Sequence, residues 1–171
     1  MTDQGNHYEY PGAVRFQIND GAPDEYERAV KFLNAGSFDA VCLQHEFAIF
    51  GGDAGEYIVP LLTRLRSPLV TTLHTILAAP NPSQRRVLQS IIDVSAKLVV
   101  MADKGRRLLV DVYQAPAEKI EIIAHGVPDF PFVAPDGAKA RLGFSGKAVI
   151  LTFGLLSPNK GIEVMVEAMP S

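Results

Sequence analysis

Several classes of protein are excluded by what this chain lacks. Its 171 residues include one cysteine, Cys42, so a disulfide framework cannot form and a cysteine-rich metal site finds too few ligands. There is no excess of positive charge: 16 lysines and arginines against 19 acids leave −3, which argues against a binder of nucleic-acid backbone. Long apolar runs are missing too. The longest, Ala148 to Leu156, is interrupted by Thr152 and Gly154 and falls far short of the roughly 20 residues a membrane helix needs. The opening MTDQGNHYEYPG has no basic stretch followed by an apolar one, so it does not read as a signal peptide. A cytoplasmic location is expected, with peripheral membrane contact left open. P-loop, GxSxG, HExxH and CxxC signatures are all absent. So is any Asp-x-Asp pair to hold a metal against a nucleotide diphosphate, and no metal site is expected.

What remains is a chain with 47% apolar and 20% charged residues, the balance of a globular protein. Its length suits one domain, or one and a fraction. Short apolar runs recur at Val14–Ile18, Ala40–Leu43, Leu69–Leu73, Leu98–Met101, Ile120–Ala124 and Ala148–Phe153, as parallel strands covered on both faces would. Stretches with helical spacing lie between them: Tyr26, Ala29, Val30 and Leu33; Tyr57, Ile58, Leu61, Leu62 and Leu65; Val87, Leu88, Ile91 and Ile92; Leu108, Leu109, Val112 and Tyr113. Pro23-Asp24-Glu25 marks one helix start and Gly36 its end, and Ser83 is an expected N-cap. Strand alternating with helix predicts an α/β fold, a doubly wound parallel sheet with right-handed crossovers.

The segment Gly126–Asp136 carries three of the twelve prolines and has no period, so it reads as an extended linker. The expected organisation is a domain over 1–125, a linker over 126–136 and the start of a second domain over 137–171. One βα unit after the linker has no companions with which to bury its faces.

Ligands of open α/β sheets collect at the carboxyl ends of the strands. His45 and Glu46, His74, and His125 each follow a predicted strand, which brings three of the four histidines to one edge. Each histidine alone is as readily a side chain bonded to loop backbone. Gly51-Gly52 leads into a helix and offers close backbone approach to an anion, although a simple loop is the slightly favoured alternative. More informative is the loop from Gly154 to Gly161, GLLSPNKG, in which a strand runs through a turn into Lys160 at a helix start. A lysine there suits a diphosphate.

Taken in order, LQHEFAIFGGDAGEYI, PLVTTLHTIL, IIAHGVPDF and VILTFGLLSPNKGIEVMVEA resemble the retaining GT-B glycosyltransferases of family 4, the glycosyl transferase group 1 proteins. The similarity runs from about Phe38 to Ala168. It implies two Rossmann-like domains facing each other across a cleft, the acceptor on the first and a nucleotide-diphosphate sugar on the second. Transfer of a hexose to a glycan or lipid acceptor would proceed with retention, without a metal or other cofactor. The resemblance gives Lys160, with Gly154 and Gly161, contact to the donor phosphates, and turns His74 toward the transferred sugar. Glu46 and His45 would touch acceptor or sugar hydroxyls, and His125-Gly126 stands where the family usually has Asn-Gly. Leu155 stands where the family often has an arginine. The family's Glu-x7-Glu signature is not found before Ser171, so the chain resembles a fragment. The alternatives are a non-catalytic acceptor-binding or scaffold module, and a flavodoxin-like binder of some other anion.

Overall fold

The computed structural model describes residues 1–2, 8–154 and 160–169, which fall into two units, Met1–Gly126 and Val127–Ser171. In the first unit four of the predicted runs become strands: β1 (Val41–His45), β2 (Leu69–Leu73), β3 (Lys97–Val100) and β4 (Ile120–Ile122). All neighbours pair in parallel, in the order β1-β2-β3-β4. This is the expected α/β, Rossmann-like parallel sheet, but among the described residues helices cover one face only, where strands covered on both faces were expected.

Sequential order has a geometric consequence. Right-handed crossovers that always step in the same direction set their helices on the same side of the sheet. The register shows which side that is. Leu43, Thr71, Leu98 and Ile120 stand in one row across the four strands, and all are buried. The neighbouring row, Gln44, Thr72, Val99 and Glu121, lies on the opposite face and is exposed or half-buried.

Helices α1 (Pro23–Ala35), α2 (Val59–Leu62), α3 (Pro82–Val94) and α4 (Asp103–Tyr113) cover the buried face. Their apolar stripes follow the predicted spacing. Tyr26, Ala29 and Val30 of α1 and Leu61 and Leu62 of α2 meet Leu43, Leu69 and Ile91 in one core cluster. Leu88 and Ile92 of α3 and Leu109 and Tyr113 of α4 meet Leu73, Leu98, Val100 and Ile120 in the other. Gly105 lets α4 approach closely, because a Cβ there would stand 3.1 Å from both Ile76 Cδ1 and Val100 Cβ. One polar pair is sealed within the core. Thr71 Oγ1 and Ser95 Oγ are 2.8 Å apart, and Ser95 Oγ donates to Ile91 O at 2.7 Å. Each hydroxyl has one proton, so Thr71 is the donor to Ser95.

Three local expectations are corrected. Val14–Ile18 forms no strand: Thr2 N–H donates to Ile18 O at 2.8 Å, and Phe16 and Ile18 are half-buried against the first core cluster. Phe16 and Ile18 thus find partial cover without joining the ladder, while Val14 stays exposed. The N-cap of α3 is Asn81, not Ser83. Asn81 Oδ1 accepts from Gln84 N–H at 2.8 Å, and Gln84 Oε1 accepts from Asn81 N–H at 2.9 Å. That reciprocal box, with Pro82 as the first helical residue, outcompetes a lone serine. Finally, Ala148–Phe153 in the second unit is not a strand, and Leu151 and Phe153 are 76% and 87% exposed. A parallel strand needs a partner, and no strand occurs among the described residues of that unit. Among its described residues the unit holds two short helices, α5 (Asp136–Arg141) and α6 (Ile162–Glu167), and none of those residues is buried.

Candidate functional site

The carboxyl ends of β1 and β2 build a polar cluster by alternation. Side chains along a strand point to opposite faces in turn. Gln44 is therefore on the open face and His45 on the helix-covered face. The sequence suggests that His45 follows its strand, but β1 runs two residues further than expected, through His45, and the ring is completely buried. His45 stands 5.1 Å edge-on from Phe47 and 6.1 Å from the stacked ring of Phe50, centroid to centroid. Neither ring nitrogen has a hydrogen-bond partner. Burial pushes its pKa down to about 4, against a smaller upward pull from Glu46, so at neutral pH the ring is uncharged. A sugar hydroxyl has no access to it.

His74 is the opposite case. Its ring is exposed, and its backbone N–H donates to His45 O at 3.1 Å, which continues the β1–β2 pairing by one residue. Nε2 lies 2.8 Å from Gln44 Oε1. The His125 ring stacks beside it, with centroids 6.2 Å apart and planes 30° from parallel. Glu46 is half-buried at the same edge. Thr75 Oγ1 donates to its Oε2 at 2.6 Å, and Phe47 N–H to its Oε1 at 3.0 Å. Each carboxylate oxygen retains a second lone pair for an incoming hydroxyl. His74, Glu46 and His125 thus gather as expected. Gln44, Thr72 and Thr75 are members that the sequence reading missed: Thr75 directly follows His74, whereas Gln44 and Thr72 meet only through the β1–β2 register.

Gly51 and Gly52 are occupied by the fold itself. Gly51 N–H donates to Tyr26 Oη at 3.1 Å, and its carbonyl accepts from Tyr57 N–H at 3.0 Å. A Cβ at Gly51 would collide with the Asp20 carbonyl oxygen. The helix that follows is a six-residue 3-10 segment, Asp53–Ile58, in which Ala54 and Gly55 are left-handed, with φ of 55° and 82°. Its entry is a packed turn against α1 and not a regular helix N-terminus.

Gly154, Lys160 and Gly161 belong to the second unit and are exposed or half-buried. Gly154 and Gly161 have φ of 123° and 63°, values that favour glycine. Leu155 to Asn159, which include the expected Pro-Asn turn, lie outside the described residues. Among the described residues, no group of three or more His, Cys, Asp and Glu side chains is placed to hold a metal ion. No helix among them is long and apolar enough to cross a membrane.

No protein-family model matches the chain. It is similar to several curated proteins named D-inositol 3-phosphate glycosyltransferase. The relative from Kineococcus radiotolerans is 31% identical over 116 residues, covering 59% of this chain and 27% of the relative. That from Acidothermus cellulolyticus is 31% identical over 156 residues, covering 82% and 33%. That from Thermobispora bispora is 34% identical over 116 residues, covering 59% and 27%. The chain thus spans between a quarter and a third of the length of these relatives. The similarity is thus to part of proteins named as glycosyltransferases, and the chain's own sheet is of the parallel α/β kind.

Proposed function

We propose that the chain contributes the acceptor-side sheet edge and part of the donor side of a retaining glycosyltransferase. The reaction is transfer of a hexose from a nucleotide-diphosphate sugar to a glycan or lipid acceptor. The observation that carries it is the exposed His74 at the carboxyl edge of a parallel sheet, in a chain similar to glycosyltransferases. Retention, and transfer without a metal, follow from the family resemblance.

In this scheme His74 hydrogen-bonds the transferred sugar, with Glu46 beside it accepting from an acceptor or sugar hydroxyl. His45 acts as buried support for the edge and touches neither substrate. Departure of the diphosphate leaves negative charge that must be met by fixed cations and backbone N–H groups. Lys160 supplies a full charge, and Gly154 and Gly161 leave room for close backbone approach, since nothing lies within 4 Å of a Cβ built on either. With leucine at 155, the family's frequent arginine is lacking, and Lys160 carries more of that burden.

The test is release of nucleoside diphosphate from a panel of nucleotide sugars. It is measured on the chain together with any further sequence its gene encodes. Turnover with at least one donor is expected. Lys160→Ala should then remove on the order of 2–4 kcal/mol of transition-state stabilisation, roughly thirty- to a thousandfold in kcat. Failure to bind or turn over any donor would sink the proposal, and an unchanged rate in Lys160→Ala would remove that residue from it.

A further inference from the structure

We infer that Gln44 is a positioning residue that sets the tautomer and orientation of the His74 ring. The inference rests on the proposed role of His74 and adds a second residue to it. A neutral imidazole has one N–H and one lone-pair nitrogen. The partner of His74 Nε2 is the side-chain amide oxygen of Gln44, 2.8 Å away, and that oxygen can only accept. The ring proton therefore sits on Nε2, and Nδ1 keeps the lone pair.

The amide is itself anchored. Gln44 Nε2 donates to Thr72 Oγ1 at 3.4 Å, and Gln44 and Thr72 are register partners on β1 and β2. The sheet ladder thus fixes both ends of the relay before any ligand arrives. Around it, His45 O holds the His74 backbone, Glu46 Oε2 holds the Thr75 hydroxyl, and the His125 ring stacks on the ring of His74. The ring is held at its backbone, at Nε2 and on one face. Its Nδ1 is the acceptor left for a hydroxyl, the group that a sugar or polyol presents.

Because Gln44 is exposed on the open face and makes no core contact, its substitution leaves the fold intact. The test is two-bond 1H–15N NMR of the histidine rings in the whole chain at pH 8, with His74 assigned by the signal lost in His74→Gln. Wild type is expected to show the Nε2–H pattern at His74. Gln44→Leu should convert it to a mixture of tautomers, whereas Gln44→Glu, which keeps an accepting oxygen, should retain it. Thr72→Val should give a smaller shift toward the mixture. In the transfer assay Gln44→Leu should lower kcat about tenfold with little change in KM, as loss of an orienting partner does. An Nδ1–H pattern in wild type, or no change in Gln44→Leu, would overturn the inference. The ring signals do not depend on turnover. Full activity in His74→Ala would defeat the proposed role of His74 while the tautomer result still decides that of Gln44.

Discussion

The two faces of the four-stranded sheet are built from the same strands and could hardly be less alike. One row across it, Leu43, Thr71, Leu98 and Ile120, is sealed under helices. The next row, Gln44, Thr72, Val99 and Glu121, is open or half-open, and its polar members bond along the surface. At the carboxyl edge the same division separates two histidines: His45 belongs to the sealed face, and His74 to the open one. The packed face holds the stability, and the open face supplies groups that can meet a ligand.

The largest expected contrast is in apolar deletion. Leu98→Ala, at a fully buried position, should lower unfolding free energy by about 2–5 kcal/mol, with Val99→Ala next to it costing well under half as much. Urea denaturation of both variants measures this, and equal costs would erase the distinction between the faces.

The next effect is a pH dependence that only the buried histidine should give. An unfolded histidine protonates near 6.5, whereas burial holds folded His45 neutral down to about 4. The unfolded state therefore binds the extra proton, and stability is complete above pH 6.5. It should fall by about 1.4 kcal/mol per pH unit as pH drops toward 4, for a total of about 3 kcal/mol. Urea midpoints between pH 7.5 and 4.5 should show the slope, and His45→Leu should flatten it. If His45→Leu keeps the wild-type slope, the titrating group lies elsewhere.

A polar deletion on the sealed face comes third. Thr71→Val preserves shape but strips Ser95 Oγ of its donor, at a cost of about 1–2 kcal/mol. The smallest effect belongs to the open face. Lys97 Nζ and Glu121 Oε1 are 2.8 Å apart, and Lys97 holds the Glu121 carboxyl below its usual range. Both are solvated, so Lys97→Gln should leave the urea midpoint unchanged within scatter. A clear loss would mean that the open face also bears on stability.

Some of the architecture was legible in advance, because the signals involved are local. Val87, Leu88, Ile91 and Ile92 repeat at helical spacing and became the buried stripe of α3, and Leu69–Leu73 became β2 without adjustment. Runs that depend on a distant partner were less legible. Val14–Ile18 and Ala148–Phe153 have the composition of strands but pair with no sheet strand. The capping of α3 turned on the Asn81–Gln84 pair, which was visible in the sequence but passed over in favour of Ser83. At the site, His74 and Glu46 were within reach of strand-end reasoning. Gln44 and Thr72 were not, since their meeting depends on the β1–β2 register.

Residue order and spacing alone thus determined an α/β chain with parallel strands, one stretch rich in proline and a set of histidines near strand ends, because each of these depends on neighbours along the chain. Tertiary structure decided which strand runs pair, how far β1 extends, and hence which histidine is buried and which stands free. Sheet pairing fixes the facing of every side chain by parity, and His45 and His74, at the ends of adjacent strands, fall on opposite faces.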